Sequence, residues 1–214
     1  MALLCSLREV GVSLGGRPVL RDIDLDLHPG QVIGVAGPNG SGKTTLVRTL
    51  ATLVRIDRGR GEILGAGLDT GQVYGVRRDI GLMGHGPAVI PELTLAENLD
   101  HVCRLASIEP SRSRNALGVV GLEGAARTRA GAASHGMLRR LEVARLLLTR
   151  PRLLLLDEAT HGLDSSALDL VDALVARTVS QGGGTVMVSH DPERLAKSCD
   201  AVMSLAVGRL VAGT

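Results

Sequence analysis

An α/β fold on a mostly parallel sheet is predicted by three features of the sequence. Strand-like and helix-like segments alternate along the chain, the run Leu153, Leu154, Leu155 and Leu156 is apolar at every position, and a glycine-rich turn stands between a strand-like run and a helix-like one. A continuous apolar run of that length suits a parallel strand buried on both faces. At 214 residues, 44% of them hydrophobic, the chain is long enough for a substantial core and short for two independent domains.

The elements follow in order. Residues 3–12 and 19–27 read as strands, the second with Asp22, Asp24 and Asp26 alternating against Ile23, Leu25 and Leu27, and 32–36 is a short apolar strand. Residues 43–54 have helical spacing without an internal Gly or Pro, giving strand, loop and helix in succession. Short apolar runs at 60–64 and 78–83 predict two more strands, and 94–105 turns helical. From 87 to 150 helical periodicity dominates, ending in a helix over 137–149 that Pro151 stops. The strand at 153–156, a helix over 165–180, a strand over 185–189 and two short strands in the tail complete the chain. The predicted organisation is a core of residues 1–86 and 151–214 with a helical lobe, 87–150, inserted in it.

Composition excludes several classes. Cys5, Cys103 and Cys199 are odd in number and far apart, which argues against disulfides and metal clusters and suggests a reducing, cytoplasmic setting. The aliphatic run at 153–156 falls far below the roughly 18 residues of a membrane span. A net charge of +2 and a single aromatic residue, Tyr74, predict no nucleic-acid partner. Arginine supplies nearly all the basic residues, and lysine occurs only at Lys43 and Lys197.

One of those lysines lies in the strongest motif. Gly37, Pro38, Asn39, Gly40, Ser41, Gly42, Lys43 and Thr44 fit GxxxxGK[ST] in full, between a predicted strand and a predicted helix. Glycines let successive N–H groups curl around phosphate oxygens, the helix N-terminus adds positive potential, Lys43 can reach the β and γ phosphates, and the Thr44 hydroxyl can ligate Mg2+. The leucine run ends in Asp157 and Glu158, carboxylates at the C-terminal edge of the sheet, where open α/β sheets bind ligands. Asp157 suits a magnesium shell and Glu158 a general base toward water. Ser134, His135, Gly136 and Met137 open a helix, a pattern that fits a plain N-cap as well as an anion site.

Taken in order, the phosphate loop, the Ser134–Gly136 helix start, the leucine strand with Asp157 and Glu158, the triplet Gly162, Leu163 and Asp164, and His190 after a strand resemble the ATP-binding-cassette family over essentially the whole chain. The resemblance implies a P-loop NTPase core with an N-terminal antiparallel β subdomain and an inserted helical subdomain. Gly37 to Thr45, with Thr45 included, look like Walker A, and 153–157 like Walker B. Glu158 then corresponds to the catalytic glutamate, 162–164 to the D-loop, His190 to the switch histidine, and Ser134 with Gly136 to the signature that touches the γ-phosphate on a partner. It implies ATP and Mg2+, a homodimer or heterodimer of ATPase domains, separate transmembrane permease subunits, and a place on the cytoplasmic face of the cell membrane.

The sequence departs from the family's pattern in four places. No aromatic residue precedes the phosphate loop, where Leu14 or a neighbour would meet adenine. The Q-loop has no glutamine, and His85, able to coordinate a metal or orient water, stands in the matching place. The signature carries His135 and Met137, and Ala159 follows Glu158 where proline is usual. Gly84, His85 and Pro87 with the phrase that follows, and the glycines 182–184, are similar to the ATP-binding subunit of haem exporters in cytochrome c maturation. Val89 and Ile90, between Pro87 and Pro91, would offer a docking point to a membrane subunit or else pack inward. Two other readings stay open: a soluble cassette ATPase of the iron-sulfur assembly type, and a degenerate nucleotide-binding module.

Overall fold

The computed structural model describes residues 2–160 and 163–212. In chain order its elements are β1 (Cys5–Leu14), β2 (Arg17–Leu27), β3 (Val32–Ala36), α1 (Lys43–Leu50), β4 (Arg58–Ile63), β5 (Ala66–Gly67), α2 (Val73–Val76) and β6 (Ile80–Met83). Then come α3 (Leu95–Leu105), α4 (Ser111–Val119), α5 (His135–Thr149), β7 (Leu153–Asp157), α6 (Ser165–Ser180), β8 (Gly184–Ser189), α7 (Pro192–Ser198), β9 (Ala201–Ala206) and β10 (Arg209–Ala212).

The chain forms two compact units. The first runs to Gly84 and takes up again over Pro151–Ala159 and from Thr178 onward. It contains a six-stranded sheet in the order β10-β9-β3-β8-β7-β6, parallel throughout except for the β9-β10 pair, and an antiparallel sheet in the order β2-β1-β4-β5. The α/β class and the N-terminal antiparallel subdomain expected from the sequence are both present. Every residue of β7 and β8 is buried, which explains why Leu153 to Leu156 carry no polar alternation. A core of Leu7, Ile23, Leu27, Leu46, Leu50, Leu155, Val186 and Leu205, each at most 3% exposed, joins the two sheets within this unit.

The second unit is helical and comprises His85–Arg150 and Thr160–Arg177. Residues 160–177 thus cluster with the helices, whereas the sequence reading assigned them to the core. Two element ends also differ from expectation. Helix α1 stops at Leu50 rather than 54, because Thr52 turns into the left-handed region (φ 59°) and Arg77 donates to Thr52 Oγ1 at 2.9 Å and to Thr52 O at 2.6 Å. Residues 77–79 form a 3-10 turn, so the strand expected from 78 begins at Ile80.

Candidate active site

The first unit brings the phosphate loop, Asp157, Glu158 and His190 to one edge of the parallel sheet. Strands β3, β8 and β7 are neighbours, with Val35 facing Val188 and Val188 facing Asp157 in register. Their C-terminal ends therefore lie at one level, the outer two about 10 Å apart at the ordinary strand spacing.

The loop between β3 and α1 is shaped by its glycines. Gly40 (φ 79°) and Gly42 (φ 107°) occupy left-handed conformations that disfavour any side chain. Gly37 answers a different need, since a Cβ there would strike Leu205 O and lie 2.9 Å from Ser41 Oγ. Lys43 is 7% exposed and folds back over the loop, its Nζ donating to Gly37 O at 2.7 Å and Pro38 O at 3.0 Å. Buried Ser41 Oγ has no hydrogen-bond partner among the described residues. Pro38, Asn39, Gly40 and Thr44 are exposed, while Thr45 is buried in the first turn of α1.

At the end of β7, Asp157 is 5% exposed and its Oδ1 has no partner among the described residues. An orphaned buried carboxylate oxygen is costly unless something binds it, and it suits a hard cation such as magnesium, as does the oxygen donor of Thr44. Glu158 then turns left-handed (φ 53°) while its N–H donates to Val188 O at 2.9 Å. That turn holds the Glu158 carboxylate against the ring of His190, Oε2 to Nδ1 at 2.9 Å, with side chains 12% and 54% exposed respectively. A carboxylate oriented by an imidazole beside a phosphate loop can take a proton from water.

The remaining site candidates, apart from Leu14, lie in the second unit. Ser134 is the N-cap of α5, its Oγ accepting the Met137 N–H at 3.2 Å, so the plain cap reading is realised and the hydroxyl proton can still be donated. A Cβ on Gly136 would meet nothing within 4 Å, so packing does not demand glycine there and the helix start is open to approach. His85 is exposed and its carbonyl accepts from Arg139 Nη2 at 3.0 Å. Of the expected D-loop, Gly162 lies outside the described residues, while Asp164 caps α6 by accepting the Ala167 N–H at 2.7 Å. Leu14 is 44% exposed at the β1–β2 turn. Among the described residues no cluster of three or more metal-ligating side chains occurs, and no helix is long and apolar enough to cross a membrane.

Sequence reasoning missed two features here. The left-handed turn at Glu158 has no local signature. The buried pair Arg139 and Glu142 was signalled only by opposite charges three residues apart, in a helix that also carries Arg140 and Arg145.

Comparison with known proteins gives the family and the fold. The sequence profile described as ABC transporter matches residues 20–161. A cytochrome c biogenesis ATP-binding export protein of Bordetella bronchiseptica is 40% identical over 192 residues, 88% of this chain and 83% of the relative. An Fe(3+) ion import ATP-binding protein of Streptomyces avermitilis is 34% identical over 213 residues, 97% of this chain, which spans 61% of that relative's length. Among solved structures, an ATP-binding subunit of an ABC transporter matches with a TM-score of 0.89 at 24% identity over 99% of this chain and 90% of the other. A dimeric ATP-binding cassette in a post-hydrolysis state with ADP and Pi matches with a TM-score of 0.84 at 25% identity over 96% of both chains.

Proposed function

The chain belongs to the ABC transporter family, and from that membership we propose that it is the ATP-hydrolysing subunit of a transporter that exports haem during cytochrome c maturation. It works as a pair of such chains docked on separate membrane-spanning subunits at the cytoplasmic face. The observation that carries the ATPase reading is the 2.9 Å contact between Glu158 and His190 beside the phosphate loop. A degenerate module has no need to hold a base in a strained backbone turn.

The residues divide the work as follows. Backbone N–H groups over Asn39 to Thr45 cradle the phosphates, and Lys43 exchanges its two loop carbonyls for β and γ oxygens. Thr44 and Asp157 would hold magnesium, which when bound offsets phosphate charge. Glu158 accepts the proton of the attacking water, and His190 keeps that carboxylate oriented and, with Lys43, stabilises charge developing on the γ-phosphate. Ser134 and Gly136 of a second chain supply the remaining contacts to that phosphate, so each site needs both chains. Leu14 offers aliphatic rather than aromatic contact to the adenine.

For haem export, the support is the Gly84 and His85 pair in a Q-loop without glutamine, together with the 40% identity to the cytochrome c biogenesis export protein over 83% of its length. An iron importer of the family shares less of its length with this chain. His85 then stands in for the missing glutamine, and Val89 and Ile90 form part of the docking point.

Steady-state hydrolysis of the purified chain beside Glu158→Gln tests the proposal. Loss of a general base costs roughly 100-fold or more in rate, and the variant, still able to bind ATP, should elute as a dimer in Mg-ATP. A wild-type chain that neither hydrolyses ATP nor dimerises would sink the ATPase reading. Affinity capture of the chain from its native membranes tests the transport role, which fails if no integral membrane protein co-purifies.

A further inference from the structure

The second unit contains a buried ion pair that the chemistry above does not use. Arg139 and Glu142 stand about a turn apart on α5, their side chains 4% and 1% exposed, with Nη1 donating to Oε2 at 2.9 Å. Burial raises the carboxyl pKa of Glu142 and Arg139 opposes that rise. Such pairs add little to stability, because the cost of desolvating two ions offsets most of their attraction. Their other hydrogen bonds set this pair apart. Glu142 Oε1 accepts the Ala88 N–H at 3.3 Å, and Arg139 Nη2 donates to the His85 carbonyl at 3.0 Å.

Both side chains therefore reach the backbone of one loop, 54 residues earlier in the chain. Further along that loop, buried Asn98 of α3 accepts the Ile90 N–H at 2.7 Å and donates to the Ile90 carbonyl at 3.1 Å. The segment 85–90 is thus held at one end by α5 and at the other by α3. The helix that grips it is the one that begins at Ser134 and Gly136. Glu142 lies about 12 Å along the axis from Ser134, a distance that an intact helix spans without bending.

We propose that Arg139 and Glu142 are positioning residues that fasten the loop 85–90 to α5, so that a displacement of this loop by a docked membrane subunit moves Ser134 and Gly136 with it. The inference rests on the reading of Ser134 and Gly136 as contacts to a second chain's nucleotide. Coupling of this kind is reciprocal, so nucleotide engaging the helix start must also steady the loop. The loop can therefore be interrogated without the membrane subunit.

The decisive variant is the charge swap R139E/E142R. It keeps a buried pair of opposite charges, but glutamate at 139 cannot donate to the His85 carbonyl, and arginine at 142 cannot accept the Ala88 N–H. Should the swap fail a thermal-melt check of folding, R139M/E142L/R145M removes the pair together with Arg145, which Glu142 also attracts, and leaves none of the three charges behind. The readouts are steady-state kinetics and amide hydrogen exchange at Ala88 and Ile90, each with and without Mg-ATP. In the wild type, Mg-ATP should slow exchange at these amides. In the variant that protection should disappear, with KM for ATP unchanged and kcat lowered about tenfold. A variant that matches the wild type in kcat and in nucleotide-induced protection overturns the clamp, as does a wild type that hydrolyses ATP without any protection of the loop. A wild type that does not hydrolyse ATP overturns instead the reading on which the clamp rests.

Discussion

Glu158 holds a left-handed backbone (φ 53°) that costs a non-glycine residue about 1–2 kcal/mol, and the cost is borne where the carboxylate must meet His190. The phosphate loop shows the opposite device, a residue type chosen for the space it leaves. Gly37→Ala should bind ATP far more weakly than wild type by calorimetric titration, and should lose about 1–3 kcal/mol of stability in denaturant melts, because its Cβ would be driven into Leu205 O and Ser41 Oγ. Normal affinity in that variant would mean that the loop does not close around phosphate as argued. The cysteines give a second check at this scale. Burial lifts the Cys5 thiol far above its ordinary range and pushes Cys199 up to about 11, so both should react slowly with a thiol reagent at pH 8 until denaturant is added. Lys43, Asp157, Glu158 and His190 were legible in the sequence because motif order and spacing carry them. The turn at Glu158 and the partners of Arg139 were not, since they depend on residues 30 and 54 positions away that no local pattern names.

Helix ends were readable where a side chain near in sequence makes the cap. Thr94 begins α3 with a reciprocal capping box, its Oγ1 accepting the Glu97 N–H at 3.2 Å while Glu97 Oε2 accepts the Thr94 N–H at 2.8 Å. Thr94→Ala should lower stability by about 1 kcal/mol in denaturant melts. The same box sets a pH dependence. Its hydrogen bonds hold the Glu97 carboxyl below its usual pKa, so the stabilisation is present above the unfolded-state value and fades as pH falls through the folded one. The difference in melting temperature between Glu97→Gln, which cannot ionise, and wild type should therefore be wide at pH 7 and narrow toward pH 3. A gap that stays constant would show that the carboxylate takes no part. The end of α1 was misjudged for the converse reason, since it is fixed by Arg77, 25 residues beyond Thr52. Helix α7 went unnoticed although Asp191 and Pro192 announce it, Asp191 Oδ1 accepting the Arg194 N–H at 3.1 Å, because a stretch of seven residues is too short for periodicity to register.

At the scale of the whole molecule, the residues proposed for one reaction are divided between two compact units, the phosphate loop, Asp157, Glu158 and His190 in one and Ser134 and Gly136 in the other. The sequence points to both sets through the order of its motifs, yet nothing in one chain displays the contact with a second chain that would join them. If each site draws on two chains, turnover must depend on how often chains meet. The rate per chain should then rise with protein concentration before reaching a plateau, and it should be flat throughout if one chain suffices. Ser134→Arg sharpens the test. A bulky cation at the start of α5 leaves the first unit untouched, so ATP should bind with wild-type affinity, while the concentration-dependent rise should be lost. Weakened ATP binding in Ser134→Arg would instead place Ser134 beside the nucleotide of its own chain, and the shared-site scheme would then have to be abandoned.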